Sequence, residues 1–474
     1  MRENDRAIET SRRPPNTDRN RPCDLRQYLE ANADIVTRIE RPVHLDQIGA
    51  LSAQSETPIV FENIVDHPGY RLCDMFMRTR ATQARALNVS PEAFLPTLAA
   101  RLRQPPRGLV DVVTGPVKEV ILIGDQVAEA RLPIPTHTGR DDGPYVTAMN
   151  IVRDPETGFY NSSQAGTLAL TPRVWRPSFS TPHTNAIIEK YRARGLKEMP
   201  MAQVIGVPPA YEIMANYSGL HMDVWGEMEM VGTLLGEDVE MVRCETIDLT
   251  VPAHAEIVIE GVVRIDERID TGEITGASMY HLPKYDYLPA FEVTAITMRA
   301  DKPYYRNHQT TPQTDHQTLS RLCHEAMLFN RLTEMGIKVT EVRFPPWGGA
   351  ISVMAQVDLP RPGFGNDALM AMMGAPWFNT KQVVLLSPDT DIEDAEEVYH
   401  AIATRCDPAR DMLIVPNTRG SLYDPAAEPL PDHYPFRLSG KLGIDATRKS
   451  RHDPKDFDRA WPKHWGEIRL KDFL

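Results

Sequence analysis

Asn161, His183 and Glu227 offer an amide oxygen, an imidazole nitrogen and a carboxylate within one stretch of short β-branched runs. Together such groups suit a divalent ion that favours oxygen and nitrogen ligands, of which Mn²⁺ is one. Asn161 follows the turn Asp154-Pro-Glu-Thr-Gly158. His183 stands between Pro182 and a helix expected from Asn185, and Glu227 opens a helix after Trp225-Gly226. Spacing alone does not single them out, because 14 histidines and 65 acidic residues allow many such triples. A histidine buried against backbone and a glutamate on a solvated helix face are the simpler account at this level. Other chemistries lack local support. Gly348-Gly349 and Gly363-Phe-Gly365 do not have the dinucleotide-binding spacing, and there is no Walker A motif and no G-x-S-x-G elbow.

The elements that must position these residues fall into three blocks. Residues 25–130 read as mixed α/β, with Asp24 capping a helix over Leu25 to Ala31, a helix over Ala81 to Leu87, and strands at Pro58–Phe61 and Glu119–Ile123. Residues 131–305 read as a β domain of barrel or sandwich type. Val146–Arg153, Glu256–Ile265 and Phe291–Arg299 are β-branched runs between turns, and Val204–Val207 and Glu212–Ala215 are shorter candidates. Helices at Asn185–Arg194 and Glu227–Leu235 interrupt it, each ending before a glycine. Residues 306–474 alternate again: a helix over Leu319–Met335, strands at Lys338–Phe344 and Ile351–Leu359, a helix over Asn366–Met373, a strand at Gln382–Ser387, and a helix capped by Asp391. That alternation predicts a second α/β domain. Residues 1–24 read as a disordered polar tail.

A chain of 474 residues exceeds what one core takes, so several domains are expected. The net charge of −13 opposes nonspecific nucleic-acid binding. No apolar run reaches the ~18–20 residues that cross a bilayer, and no membrane partner is expected. The N-terminal arginines are interleaved with acids, unlike a targeting presequence. Cys23, Cys73, Cys244, Cys323 and Cys406 are odd in number, scattered and without a CxxC, which fits a reducing cytoplasm.

Several motifs share one pattern. Leu132-Pro-Ile-Pro-Thr-His137, Asp142-Gly-Pro-Tyr145 and Arg153-Asp-Pro-Glu-Thr-Gly158 with Asn161 resemble the UbiD family. These are reversible decarboxylases of aromatic and α,β-unsaturated acids that use prenylated FMN. Gly206-Val-Pro-Pro-Ala210, Leu235-Gly-Glu237 and Cys244-Glu-Thr246 resemble its ferulic and cinnamic acid branch, and Lys441-Leu-Gly-Ile-Asp-Ala-Thr447 its C-terminal segment. The resemblance runs over roughly residues 25–450. It implies an N-terminal α/β domain, a central split β-barrel of flavin-reductase type, and a C-terminal α/β domain with an oligomerisation tail.

The resemblance assigns roles. Asn161, His183 and Glu227 fall on the family's metal ligands, which bridge a Mn²⁺-like ion to the flavin phosphate, with K⁺ beside it. Ser162 and Gln164 become cofactor contacts. Gly272-Glu273-Ile-Thr-Gly276 places Glu273 as the proton-handling acid, its pKa raised by burial beside flavin, although a turn glutamate between two strands would read the same. Glu267 or Asp270 stands for a second acid. The implied partners are a small-molecule carboxylic acid, free or as a CoA thioester, a flavin prenyltransferase that supplies cofactor, and further copies of the chain in a homodimer or homohexamer. Two positions depart from the pattern. The family's arginine five residues after the metal asparagine is Gly166 here, and its phosphate-site lysine falls near Ala375-Pro376, with Lys381 displaced. Tyr280, His281 and Gln164 are the polar replacements at hand. The lost arginine is expected to open space beside the flavin. It also admits an alternative, a flavin- or metal-binding relative with altered or no decarboxylase activity. A hydrolase using the metal alone is a third reading.

Overall fold

The computed structural model describes residues 24–474 apart from 142, 180, 218–225, 270–273, 276–279, 283–287, 309–310, 312–313, 376–379, 422–423, 431–436, 450–451 and 474. Its centre is a closed antiparallel barrel of six strands: β1 (Tyr145–Arg153), β2 (Tyr160–Ala169), β3 (Val174–Pro177), β4 (Glu198–Ile205), β5 (Ile257–Ile269) and β6 (Leu288–Met298). The order is β5-β4-β1-β2-β3-β6, and β6 pairs back onto β5 to close it. The turn Asp154–Gly158 joins β1 to β2 as its composition predicts. The Asp154 carboxylate accepts from the backbone N–H groups of Glu156 and Thr157, and Gly158 takes the positive φ of 74°.

β1 explains why these strands appear as runs rather than as alternations. Val146, Ala148 and Val152 join the cluster that includes Met201, Val263 and Phe291, while Met149 and Ile151 join a different one with Ala202, Ile213 and Val231. Both faces of the strand are covered, so both are mainly apolar, with Thr147 and Asn150 as buried polar exceptions. Closure requires a bulge between Glu260 and Gly261, where a Cβ on Gly261 would stand 2.2 Å from the Glu292 carbonyl oxygen.

Three helices bracket the barrel: α1 (Pro182–Ala193), α2 (Pro209–Met214) and α3 (Glu227–Leu235). Ile187, Ile188 and Tyr191 of α1 belong to the same cluster as the barrel lining, and α2 and α3 cover the outer face of β1 and β4. A sheet of Thr37–Ile39, Ile59–Phe61 and Arg71–Asp74 is completed by Tyr304–Arg306, a strand that follows the barrel in sequence. The C-terminal sheet runs Lys338–Arg343, Ser352–Asp358, Gln382–Leu386, Arg437–Ala446, Met412–Gly420, with its middle pairings parallel.

The structure corrects four local expectations. Glu212–Ala215 is not a strand: Glu212 lies in α2, which Pro209 starts and whose six residues are all buried. A short apolar run buried on all sides carries no period to separate helix from strand. The helix over Leu319–Met335 is split into His316–Leu319 and Leu322–Glu334, with the turn Ser320-Arg321 between them and the Arg321 φ stretched to −119°. The N-cap of the helix Ala395–Arg405 is Asp394, not Asp391; its carboxylate accepts from the N–H groups of Glu396 and Glu397. Asp24 is not part of a tail: it caps Leu25–Ala31 and pairs with Arg299 at 2.8 Å. The rest of the expected tail lies outside the described residues.

Candidate active site

Asn161, His183 and Glu227 come from β2, the first turn of α1 and the first residue of α3. Short bonds draw these three elements together. Asn161 Nδ2 donates to Thr184 Oγ1 at 3.2 Å, one residue beyond His183, and the Ser162 backbone N–H donates to Glu227 Oε2 at 2.7 Å. Thr184 also bonds Ser163 and Thr181. With its nitrogen committed, Asn161 keeps its amide oxygen for a further partner.

Glu227 is 1% exposed, and burial pushes its carboxyl well above the usual range, against backbone N–H groups of Ser162 and of Glu227 itself. No lysine or arginine pairs with it among the described residues. Ser162 Oγ is likewise buried and unpartnered among them. A buried acid and a buried hydroxyl are what a bound cation would satisfy. No three of His, Cys, Asp or Glu group as metal ligands among the described residues, so an ion held by His183 and Glu227 would need a ligand of another kind, such as the Asn161 amide oxygen. These residues fit an O/N-ligated divalent ion.

The proton-handling candidate Glu273 and its neighbour Asp270 lie outside the described residues. Glu267 sits near the end of β5, is exposed, and lies close enough to Arg264 to act on its charge. Tyr280 is 60% exposed, and His281 is half-buried. Lys381 is paired with Asp424 at 2.8 Å. Arg153 pairs with Asp248, and Arg173 with Asp125 and Glu292.

Gly166 does not open a void. A Cβ there would stand 1.7 Å from the Tyr145 hydroxyl and 2.0 Å from its Cζ, so the phenol fills the space a side chain would leave through. Tyr145 is itself held edge-on to His137 with ring centroids 5.0 Å apart. Gly166→Ala is therefore expected to destabilise by about 1–3 kcal/mol through overpacking. In a Tyr145→Ala background the same change should cost almost nothing, a difference that a denaturation double-mutant cycle reads.

Beside Gln164 the outer face of the barrel meets α2 in a small cleft whose walls include Thr147, Met149, Glu212, Arg306 and His308. Arg306 is 1% exposed and pairs with Glu212, Asp74 and Asp315, each at 3.0 Å. Burial opposes ionisation of Glu212 and Asp315, but Arg306 and His308 outweigh it and hold both carboxyls low. Burial and Asp315 push Asp74 up to about 6. The sequence reading missed this cluster. Its available signals were a lone glutamate inside the apolar run Pro208–Ala215 and the polar triplet Arg306-Asn307-His308 behind two tyrosines.

A family model described as 3-octaprenyl-4-hydroxybenzoate carboxy-lyase matches in two parts, a Rift-related domain over residues 109–312 and a C-terminal domain over residues 317–446. The chain belongs to the UbiD family. Among its UbiD-class relatives is the anhydromevalonate phosphate decarboxylase of Methanothermobacter thermautotrophicus, 32% identical over 67% of this chain and 72% of the relative. The pyrrole-2-carboxylic acid decarboxylase of Pseudomonas aeruginosa is 29% identical over 81% of this chain and 82% of its own. The structure of the UbiD-class enzyme HmfF from Pelotomaculum thermopropionicum in complex with FMN superposes with a TM-score of 0.83 at 30% identity, covering 95% of this chain and 100% of that one. The chain is thus a UbiD-class carboxy-lyase, built on the mixed α/β and barrel architecture of that class. No helix among the described residues is long and apolar enough to cross a membrane.

Proposed function

We propose that the protein catalyses reversible, non-oxidative decarboxylation of an aromatic or α,β-unsaturated carboxylic acid, free or as a CoA thioester, with prenylated FMN and a divalent ion such as Mn²⁺. The observation that carries this reading is the convergence of Asn161, Thr184 beside His183, and Glu227 around a buried, cation-deficient point at one end of the barrel. HmfF has been solved with FMN and with prenylated FMN, which supports the same cofactor here. Asn161, His183 and Glu227 would hold the ion, which would supply the positive charge that a flavin phosphate needs. Ser162 and Gln164 would contact the cofactor, and K⁺ would lie beside the divalent ion. When bound, prenylated FMN supplies an electron sink for the pair left as the carbon–carboxylate bond breaks.

The chain's own residues do the rest. The barrel end and α1 exclude water, and Glu273 delivers a proton to the carbon from which CO₂ departs. Glu267, exposed at the preceding strand end, exchanges protons with solvent. The protein works as a cytoplasmic homo-oligomer, supplied with cofactor by a flavin prenyltransferase. A dimeric HmfF and the four cysteines that are free among the described residues support this setting.

The test uses protein co-produced with a flavin prenyltransferase and a panel of cinnamic, benzoic and heteroaromatic acids. Prenylated flavin should appear by mass and absorbance, and at least one acid should lose CO₂ and exchange solvent deuterium at the same carbon. Flavin-loaded protein that exchanges none of them would defeat the proposal.

A further inference from the structure

The first turn of α1 departs from the way a helix usually starts. Thr181 is its N-cap, where a threonine ordinarily accepts from the backbone N–H of the second or third helical residue. Here the Thr181 side chain caps no backbone group, and its hydroxyl donates instead to Thr184 Oγ1 at 2.9 Å. The helix start is held by other means. Pro182 occupies its first position, and the Asn185 amide donates to the Phe179 and Thr181 carbonyls.

Thr184 is fully buried, and its hydroxyl is spent on side chains. A hydroxyl has two lone pairs and one proton. Thr181 Oγ1 at 2.9 Å and Asn161 Nδ2 at 3.2 Å donate to the lone pairs, which leaves the proton for Ser163 Oγ at 3.3 Å. Asn161 and Ser163 stand two apart on β2 and so share one face of the strand. Both are buried. One hydroxyl thus holds that face at two points, from the residue next to His183.

We propose that Thr184 is a positioning residue for the metal centre. Its hydroxyl holds the Asn161 amide by the nitrogen, so that the oxygen is offered to a divalent ion, and it ties that ligand to the turn that carries His183. The inference rests on the metal reading of Asn161, His183 and Glu227 given above and deepens it. The chemistry of the amide makes the hold matter. Its oxygen can ligate a cation, whereas its nitrogen carries two protons and offers no lone pair. Without the Thr184 hydroxyl the buried nitrogen loses its acceptor among the described residues, and the amide gains nothing by keeping its oxygen toward the ion. Each turn of the amide then removes a ligand. Removing the partner of a ligating group typically weakens metal binding by ~10–100-fold.

The experiment is Mn²⁺ binding by the full-length protein, stripped of metal and supplied with excess FMN, with unbound Mn²⁺ counted by its aqueous electron paramagnetic resonance signal. Thr184→Val keeps the shape of the side chain without the hydroxyl and should bind Mn²⁺ at least about tenfold more weakly than wild type. Thr184→Ser, which keeps the hydroxyl, should recover most of that loss. In an Asn161→Ala background Thr184→Val should weaken binding no further, because it acts through that amide. A merely structural threonine would lower the affinity by the same factor in both backgrounds. Wild-type affinity in Thr184→Val, no recovery in Thr184→Ser, or an equal loss in both backgrounds would each overturn the proposal. Thr184→Ala repeats the measurement if Thr184→Val does not fold, and failure of both to fold would make Thr184 a core residue and overturn it as well. The two readings fail separately. Wild type that takes up no Mn²⁺, or Asn161→Ala that binds it as tightly as wild type, removes the metal reading and this inference with it. A weakened Asn161→Ala beside an unchanged Thr184→Val removes this inference and leaves the metal reading standing.

Discussion

Replacing Arg306 with methionine is expected to cost about 3–5 kcal/mol, a large part of the ~5–15 kcal/mol that holds a typical domain together. The guanidinium lies within 3.0 Å of Glu212, Asp74 and Asp315 and over the Phe76 ring at 4.2 Å. Methionine keeps much of the packing and leaves three buried carboxylates without a counter-charge. The sign of the pH dependence follows. In the wild type Glu212 and Asp315 have lowered pKa values. Their stabilisation is present above the unfolded carboxylate pKa near ~4 and is lost as pH falls through the lower folded values. Without Arg306 burial dominates and raises both, so ionising them in the fold becomes costly. The gap between wild type and variant should be full at pH 7–8 and shrink steadily toward pH ~4–5 as the carboxyls take up protons. Asp74, already pushed up to about 6, should be the first to protonate. Arg306→Lys, which keeps the charge and loses the fork, should fall between the two. Denaturation midpoints of the three proteins across that range decide it, and a gap that does not change with pH would refute the electrostatic account.

This cluster also shows where the sequence stops informing. The barrel strands are legible because burial on both faces forces apolar runs such as Val146–Ile151, and the α3 start is legible from Gly226 and the acid after it. The ion cluster is not, because its members meet across the fold: Asp74 and Glu212 lie 232 and 94 residues from Arg306. Nothing local signals that Tyr304–Arg306 returns to the sheet begun by Thr37–Ile39. At Gly166 the sequence reports a missing side chain but not its replacement. Thr147 is the residue that pairs with Gly166 across the strands, and the ring that fills the space comes from Tyr145, two residues away. The segment Asp389–Asp394 offers several possible caps, and only the path of the chain selects Asp394. For Asn161, His183 and Glu227, spacing left the metal reading and a structural reading side by side. The family resemblance singled them out, and the bonds through Thr184 and Ser162 tie together the three elements that carry them.

Glu227→Gln should yield a folded protein that purifies with at least about tenfold less metal and less flavin than wild type. The amide is nearly isosteric with the carboxylate. Its oxygen can still accept the Ser162 N–H that Glu227 Oε2 accepts at 2.7 Å, so α3 keeps its start and its contact with β2. What is lost is the formal charge that a divalent ion and a phosphate dianion require between them. The substitution also relieves a cost, because the wild-type carboxyl is 1% exposed and meets no cationic side chain among the described residues. Metal-free Glu227→Gln should therefore be no less stable than metal-free wild type at neutral pH, whereas ordinary destabilisation would lower its melting temperature. That contrast separates a ligand from a structural residue. Wild type stripped with a chelator should release flavin and regain it when Mn²⁺ and cofactor are restored together, and Glu227→Gln should not regain it. Metal analysis and the flavin absorbance of both proteins provide the measurement. Full flavin occupancy in Glu227→Gln would remove the bridge and leave the phosphate to be held by residues outside this triad.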